Sequence, residues 1–144
     1  MKKEIIEKNG EHLMIRKSLP EIFWKRLGDP RVIFLATSDK NQPKVRPVTL
    51  IGFENRLFVN SYKETAKIKQ MKKNPGVEFC MFMGKSAPLD KRYARVRCSA
   101  KVIDDKEIKK KLLEQIDFIK CYNQSPDDPD YFLIELQPLK WCLT

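Results

Sequence analysis

A small antiparallel β-barrel with peripheral helices, a mainly β fold, is the class that this 144-residue sequence predicts. Three observations predict it. About six β-branched or aromatic runs recur along the chain, most are joined by short turns that only antiparallel strands can use, and helical patterns fall between them rather than at every crossover. A sheet of so few strands with no long edge protection closes on itself. The missing crossovers argue against a doubly wound parallel sheet. The length suits one domain with one core, so residues 1–144 are expected to form a single unit, with residues 1–18 as an N-terminal extension.

Taken in order, Ser18-Leu19-Pro20-Glu21 has the form of a capping box with proline early in the first turn. A short helix should follow, with Ile22, Phe23 and Leu27 on its buried side and Gly28-Asp29-Pro30 ending it. Residues 32–37 form a β-rich run, closed by turn residues 38–43, and residues 44–53 form a second strand, so the two should pair as a hairpin. A tight turn over 52–56 leads to a strand at 57–60 and then to a lysine-rich helix that Asn74-Pro75-Gly76 ends. β structure resumes over 77–83, residues 84–92 form a loop, and residues 93–103 alternate as a strand. Residues 104–116 make an amphipathic helix with Ile108, Leu112 and Ile116 at four-residue spacing. After an acidic linker over 125–130, strands at 131–136 and 139–143 finish the sheet.

Composition narrows the function classes. No apolar run approaches the ~20 residues of a membrane span, and the charged first eight residues lack the apolar stretch of a signal peptide, so the expected location is the cytoplasm. Cys80, Cys98, Cys121 and Cys142 are widely spaced with no C-x-x-C pair, and His12 is the one histidine, so no metal site is expected. Cys80 and Cys98 lie in apolar runs and read as small reduced hydrophobes. His12 reads as a surface residue, and Trp141 as either a core or an interface tryptophan. The formal charge of +10 raises encounter rates with any anion without choosing among them. Most of the lysines over 63–73 and 106–111 read as solvated helix faces.

The richest stretch is Leu57-Phe58-Val59-Asn60-Ser61-Tyr62-Lys63-Glu64-Thr65-Ala66-Lys67-Ile68-Lys69-Gln70-Met71. Here an apolar strand, a hydroxyl, a polar turn, a second hydroxyl and a lysine-rich helix follow one another. A helix N-terminus offers unpaired N–H groups and the positive end of the helix dipole, so hydroxyls and a lysine placed there can hold a phosphate dianion. A surface helix with a Thr65 cap and solvated lysines explains the same residues. Arg46 shares a strand face with Val48 and Leu50, so its guanidinium needs a partner, either a phosphate or a salt bridge.

These segments resemble the pyridoxamine 5′-phosphate oxidase-like FMN-binding split-barrel family over roughly Leu19 to Trp141. The resemblance is carried by Phe34-Leu35-Ala36-Thr37-Ser38 with Gln42-Pro43-Lys44-Val45-Arg46-Pro47-Val48, then Leu57-Phe58-Val59-Asn60-Ser61, then the run Thr65-Ala66-Lys67-Ile68-Lys69-Gln70-Met71-Lys72-Lys73-Asn74-Pro75. It implies a six-stranded antiparallel split β-barrel of Greek-key type, forming a homodimer with FMN in a groove at the subunit interface. It also implies that Arg46, Ser61, Thr65 and Lys67 hold the ribityl phosphate. Main-chain groups of Pro47, Val48 and Thr49 would line the flavin ring, with Asn60 at a neighbouring cofactor position. A guanidinium fork and a lysine neutralise a dianion while hydroxyls meet its remaining oxygens, so the chemistry agrees.

The chain departs from the family in carrying Cys98 where a glycine is expected, in a longer loop over 84–90, and in lacking the C-terminal arginine and histidine motif of the true oxidases after Pro138. Tyr93 and Arg95 are further contact candidates. The expected function is therefore a small FMN-dependent oxidoreductase passing electrons from a reduced nicotinamide, NADH or NADPH, to an unidentified acceptor, and not vitamin B6 oxidation. The alternatives are a non-catalytic flavin carrier or sensor and a single-stranded nucleic-acid binder in which Phe58 and Tyr62 stack bases. Related split barrels also take haem or a deazaflavin.

Overall fold

The computed structural model describes residues 5–8, 11–14, 18–61, 64–85, 89–121, 123 and 125–144, the first two segments by backbone alone. The chain runs β1 (Ile5–Lys8), β2 (Glu11–Met14), α1 (Glu21–Leu27), β3 (Arg31–Asp39), β4 (Gln42–Phe53) and β5 (Arg56–Ser61). It continues through α2 (Ala66–Lys73), β6 (Gly76–Phe82), β7 (Tyr93–Ile103), α3 (Lys106–Gln115), α4 (Asp117–Lys120) and β8 (Phe132–Leu143).

Two pairs of left-handed residues set the first half of the sheet. Lys40 (φ 49°) with Asn41 (φ 63°), and Glu54 (φ 51°) with Asn55 (φ 57°), form two-residue connections whose twist suits antiparallel strands. The first is tighter than the turn expected over 38–43, because the strands run on to pair Asp39 with Gln42. The order β8-β5-β4-β3-β6-β7 closes through a β7–β8 pairing, giving a six-stranded antiparallel barrel. β1 and β2, which fall in the N-terminal extension expected over 1–18, form an added hairpin on β8.

β8 replaces the two strands expected over 131–136 and 139–143. It stays continuous because a register shift opposite Arg97 and Cys98 absorbs the irregularity around Pro138. Pro138 also falls between the stretch paired with β5 and the stretch paired with β2, where no partner needs its missing N–H.

Alternation fills the barrel. Ile33 and Leu35 of β3, Leu50 of β4, Leu57 and Val59 of β5, Phe79 and Met81 of β6, and Val96 of β7 are buried in one cluster. Phe23 and Leu27 of α1 join it, whereas Ile22 is exposed, contrary to the sequence reading. The Ser18 capping box is not formed either. α1 starts at Glu21 with Pro20 in extended backbone before it, and Ser18 instead accepts a hydrogen bond at its carbonyl from Trp141 Nε1 (3.0 Å). Trp141 is thus a core residue. A second cluster lies outside the barrel, where Ile108, Leu112 and Ile119 of α3 and α4 pack on Ile51, Phe58, Tyr131 and Leu133. Asp105 caps α3 by accepting from the Glu107 (2.9 Å) and Ile108 (3.4 Å) amides, so the helix starts at Lys106 and not at the expected residue 104. All four cysteines are free thiols, with Cys98 and Cys142 buried. No helix among the described residues is long and apolar enough to cross a membrane.

Candidate functional site

The barrel is split between β4 and β5. They pair only from Leu50–Val59 to Phe53–Arg56, and beyond Leu50 the first half of β4 keeps β3 as its sole partner. Pro43 and Pro47 are tolerated there because the side lacking an N–H needs no neighbour. β5 meanwhile runs on to pair Asn60 and Ser61 with β8. The widening gap is a cavity of about 220 Å³, lined by Pro47, Val48 and Thr49 from β4, Asn60 and Ser61 from β5, Thr65 and Lys67 from the start of α2, and Phe118 from α4.

Seven of the eight residues expected to contact a cofactor therefore line one cavity. The eighth, Arg46, stands beside it. Its Nη2 donates to Gln70 Oε1 at 3.0 Å, and its charge acts on Lys67. The partner that a half-buried arginine requires is thus an amide oxygen, not a carboxylate. Thr37 Oγ1 donates to the same Gln70 oxygen at 2.9 Å. Tyr62 and Lys63 lie outside the described residues.

The electrostatics favour an anion. Lys67 is half-buried, and burial first and the Arg46 charge second push its pKa below the usual 10.5. Among the described residues neither cation has a carboxylate partner, so two positive charges face the same space uncompensated. Thr65 precedes α2 in extended backbone but its side chain makes no cap bond, contrary to the simple capping explanation. Its Oγ1 and the Oδ1 of Asn60 are buried with no hydrogen-bond partner among the described residues. Buried polar atoms left unpaired cost about 1–3 kcal/mol each, which a ligand can recover. Ser61 is buried in the same wall.

This cavity fits the phosphate end of a cofactor. Hydroxyls, a lysine, a nearby guanidinium and the first-turn N–H groups of α2 converge, and the free β4 edge presents main-chain groups to whatever extends from it. At about 220 Å³ it is smaller than the ~300 Å³ lower end for a whole ligand pocket, so the remainder of a flavin nucleotide must lie outside it. A neighbouring cavity of about 520 Å³ shares Thr49 and Phe118 with it and reaches Asp29, Val32 and Asp117.

Sequence reasoning named no role for Gln70, Thr37 or Phe118. Gln70 lies three residues after Lys67, hence on the same helix face, and Thr37 follows Ile33 and Leu35 at inward positions, so both carried a periodic signal. Phe118 carried none, because the four-residue α4 was not expected. The nucleic-acid reading loses one of its two named stacking residues, since Phe58 is fully buried and lies under the Arg56 guanidinium, 5.0 Å from its ring centre. His12 pairs with Leu143 through β2. Tyr93 and Arg95 lie on β7 and line neither of these cavities.

Residues 21–144 match the sequence family described as pyridoxamine 5′-phosphate oxidase. No curated protein matches the chain. Among solved structures, the General Stress Protein 26 from Bacillus anthracis is similar at 24% identity, covering 82% of this chain and 87% of that one with a TM-score of 0.66. A NimC/NimA family protein from Clostridium acetobutylicum is 29% identical over 80% of this chain and 74% of its own, with a TM-score of 0.64. An F420 reductase is 22% identical over 85% of this chain and 98% of its own, with a TM-score of 0.62. At these identities the structural likenesses speak to the fold.

Proposed function

The chain belongs to the pyridoxamine 5′-phosphate oxidase family, which includes oxidoreductases and flavin binders, and on that footing we propose that it is an FMN-binding oxidoreductase. The observation that carries this reading is the pair Arg46 and Lys67, two cations with no carboxylate partner among the described residues, at the cavity holding the buried Thr65 Oγ1 and Asn60 Oδ1, which have no hydrogen-bond partner among those residues either. Arg46, Lys67, Thr65 and Ser61 would hold the ribityl phosphate. The main chain of Pro47, Val48 and Thr49 would meet the ring, with Asn60 beside it. When bound, FMN would supply the redox chemistry between a reduced nicotinamide and an acceptor, while the protein would orient the ring and govern access. The positive surface draws in such anionic donors.

A homodimer is part of the proposal. On the outer barrel face Val32, Phe34, Val45 and Phe82 are exposed, and Phe34 pairs with Pro47, which lines the cavity. Contiguous apolar surface of this kind supports an interface, and a second copy placed there would cover the part of the nucleotide that the small cavity leaves outside. Cytoplasmic residence completes the reading.

The test is spectroscopic. The purified protein, supplied with FMN if colourless, should show a bound-flavin absorption spectrum that NADH or NADPH bleaches rapidly under anaerobic conditions. Bound flavin inert to both donors would turn the assignment to a carrier or sensor, and absence of flavin binding would remove it. Light scattering with size-exclusion chromatography should give twice the chain mass.

A further inference from the structure

Gln70 gathers two donors on one oxygen. Its Oε1 accepts from Thr37 Oγ1 at 2.9 Å and from Arg46 Nη2 at 3.0 Å, which ties α2, β3 and β4 together beside the cavity. Thr37 is only 3% exposed and sits on the inward face of β3, so that donor is fixed by the barrel itself. Gln70 follows Lys67 by three residues on α2, which places it on the same helix face, one turn further from the helix start.

The chemistry of an amide at this position is specific. A neutral carbonyl oxygen takes one guanidinium N–H and leaves the other four free for a second acceptor. It also leaves the positive charge of Arg46 intact, whereas a carboxylate there would form an ion pair and spend that charge inside the protein. An unrestrained arginine would have to surrender a large rotamer entropy when an anion arrives, so restraining it in advance strengthens binding without adding a contact.

We propose that Gln70, braced by Thr37, is a positioning residue that holds the Arg46 guanidinium at the cavity for a terminal phosphate monoester while leaving its charge uncompensated. This rests on the reading of the cavity as a flavin phosphate site and identifies what makes that site selective for the phosphorylated flavin. It predicts that Gln70 acts on FMN through Arg46 and has no hold on riboflavin, which shares the ring and ribityl chain but lacks the phosphate.

Fluorescence titration with FMN and riboflavin tests it on wild type, Gln70→Met, Arg46→Ala and the double variant. Gln70→Met should raise the Kd for FMN roughly tenfold and that for riboflavin by no more than about twofold. In the Arg46→Ala background the same substitution should change the FMN affinity by less than about twofold, because the residue through which it acts is gone. Equal losses for FMN and riboflavin, or fully additive losses in the cycle, would overturn the proposal while leaving the flavin site standing. A wild-type protein that binds FMN no more tightly than riboflavin would overturn both. Thr37→Val, which removes the brace alone, is the second variant. It should weaken FMN selectively and by less than Gln70→Met, and unchanged FMN affinity there would exclude Thr37 from the device.

Discussion

Lys67→Met should move ligand affinity and fold stability in opposite directions. In the free protein the Lys67 ammonium is half-buried, faces the charge of Arg46 and has no carboxylate beside it among the described residues. Methionine keeps an unbranched stem of similar length and removes the charge, so the free variant should be at least as stable as wild type at pH 7. Against a phosphate monoester the variant loses one charge-assisted hydrogen bond, worth about 1.5–3 kcal/mol, which is a rise of roughly 10- to 150-fold in Kd. The pH dependence carries the same signature. The pKa of Lys67 is lowered on folding, so the unfolded chain binds more protons between the folded-state value and 10.5, and stability rises with pH through that window. Below it the penalty is fully present. The variant should lack that rise. Calorimetric titration with FMN, together with urea denaturation at several pH values up to about 10.5, reads both effects. A Lys67→Met protein that is less stable than wild type and binds FMN unchanged would refute the reasoning.

Three further substitutions or probes test the scaffold. Arg56 donates to both carboxylate oxygens of the buried Glu135 (2.8 and 2.7 Å), so Arg56→Ala strands that carboxylate and should cost about 2 kcal/mol in urea denaturation, reduced from the fully buried case because Arg56 itself is partly exposed. Asp105→Ala removes two cap hydrogen bonds at the start of α3 and should cost about 1 kcal/mol in the same assay, with FMN affinity unchanged. Thiol titration with a disulfide reagent should modify the exposed Cys121 first. Cys80, whose pKa burial raises, should react later, and Cys98, buried and pushed far above the usual thiol range, only on unfolding.

The residues that were legible in the sequence are those whose role follows from local pattern. The β-rich run over 32–37 and the alternation over 93–103 placed β3 and β7, and the lysine-rich run after Thr65 placed α2. The strand order, which brings β5 against β8 across more than 70 residues, has no local signature and came with the family resemblance. Pro138 reads as a strand breaker, yet β8 passes through it because a bulge and a gap between two partners lie at that point, both of them tertiary facts. The β1–β2 hairpin was missed although Asn9-Gly10, a turn signal, stands between Ile5–Lys8 and Glu11–Met14, each of which carries only two apolar residues among charged or polar ones.

At the cavity, hydroxyls and lysine were visible because they cluster in sequence, and Arg46 because a charged residue on an apolar face needs explaining. Gln70 was quoted within the motif but its role depends on Thr37 and Arg46, 33 and 24 residues away, which only the folded chain assembles. Phe118 reaches the cavity from α4 for reasons of packing that no spacing rule encodes.

The most direct measurement is a crystal structure of the protein grown with FMN. The account predicts the terminal phosphate within hydrogen-bond distance of Lys67 Nζ, Thr65 Oγ1 and the Arg46 guanidinium, with the ring running along the open edge of β4 past Thr49. A flavin whose phosphate projects into solvent, or that sits elsewhere with Lys67 and Arg46 untouched, would contradict it.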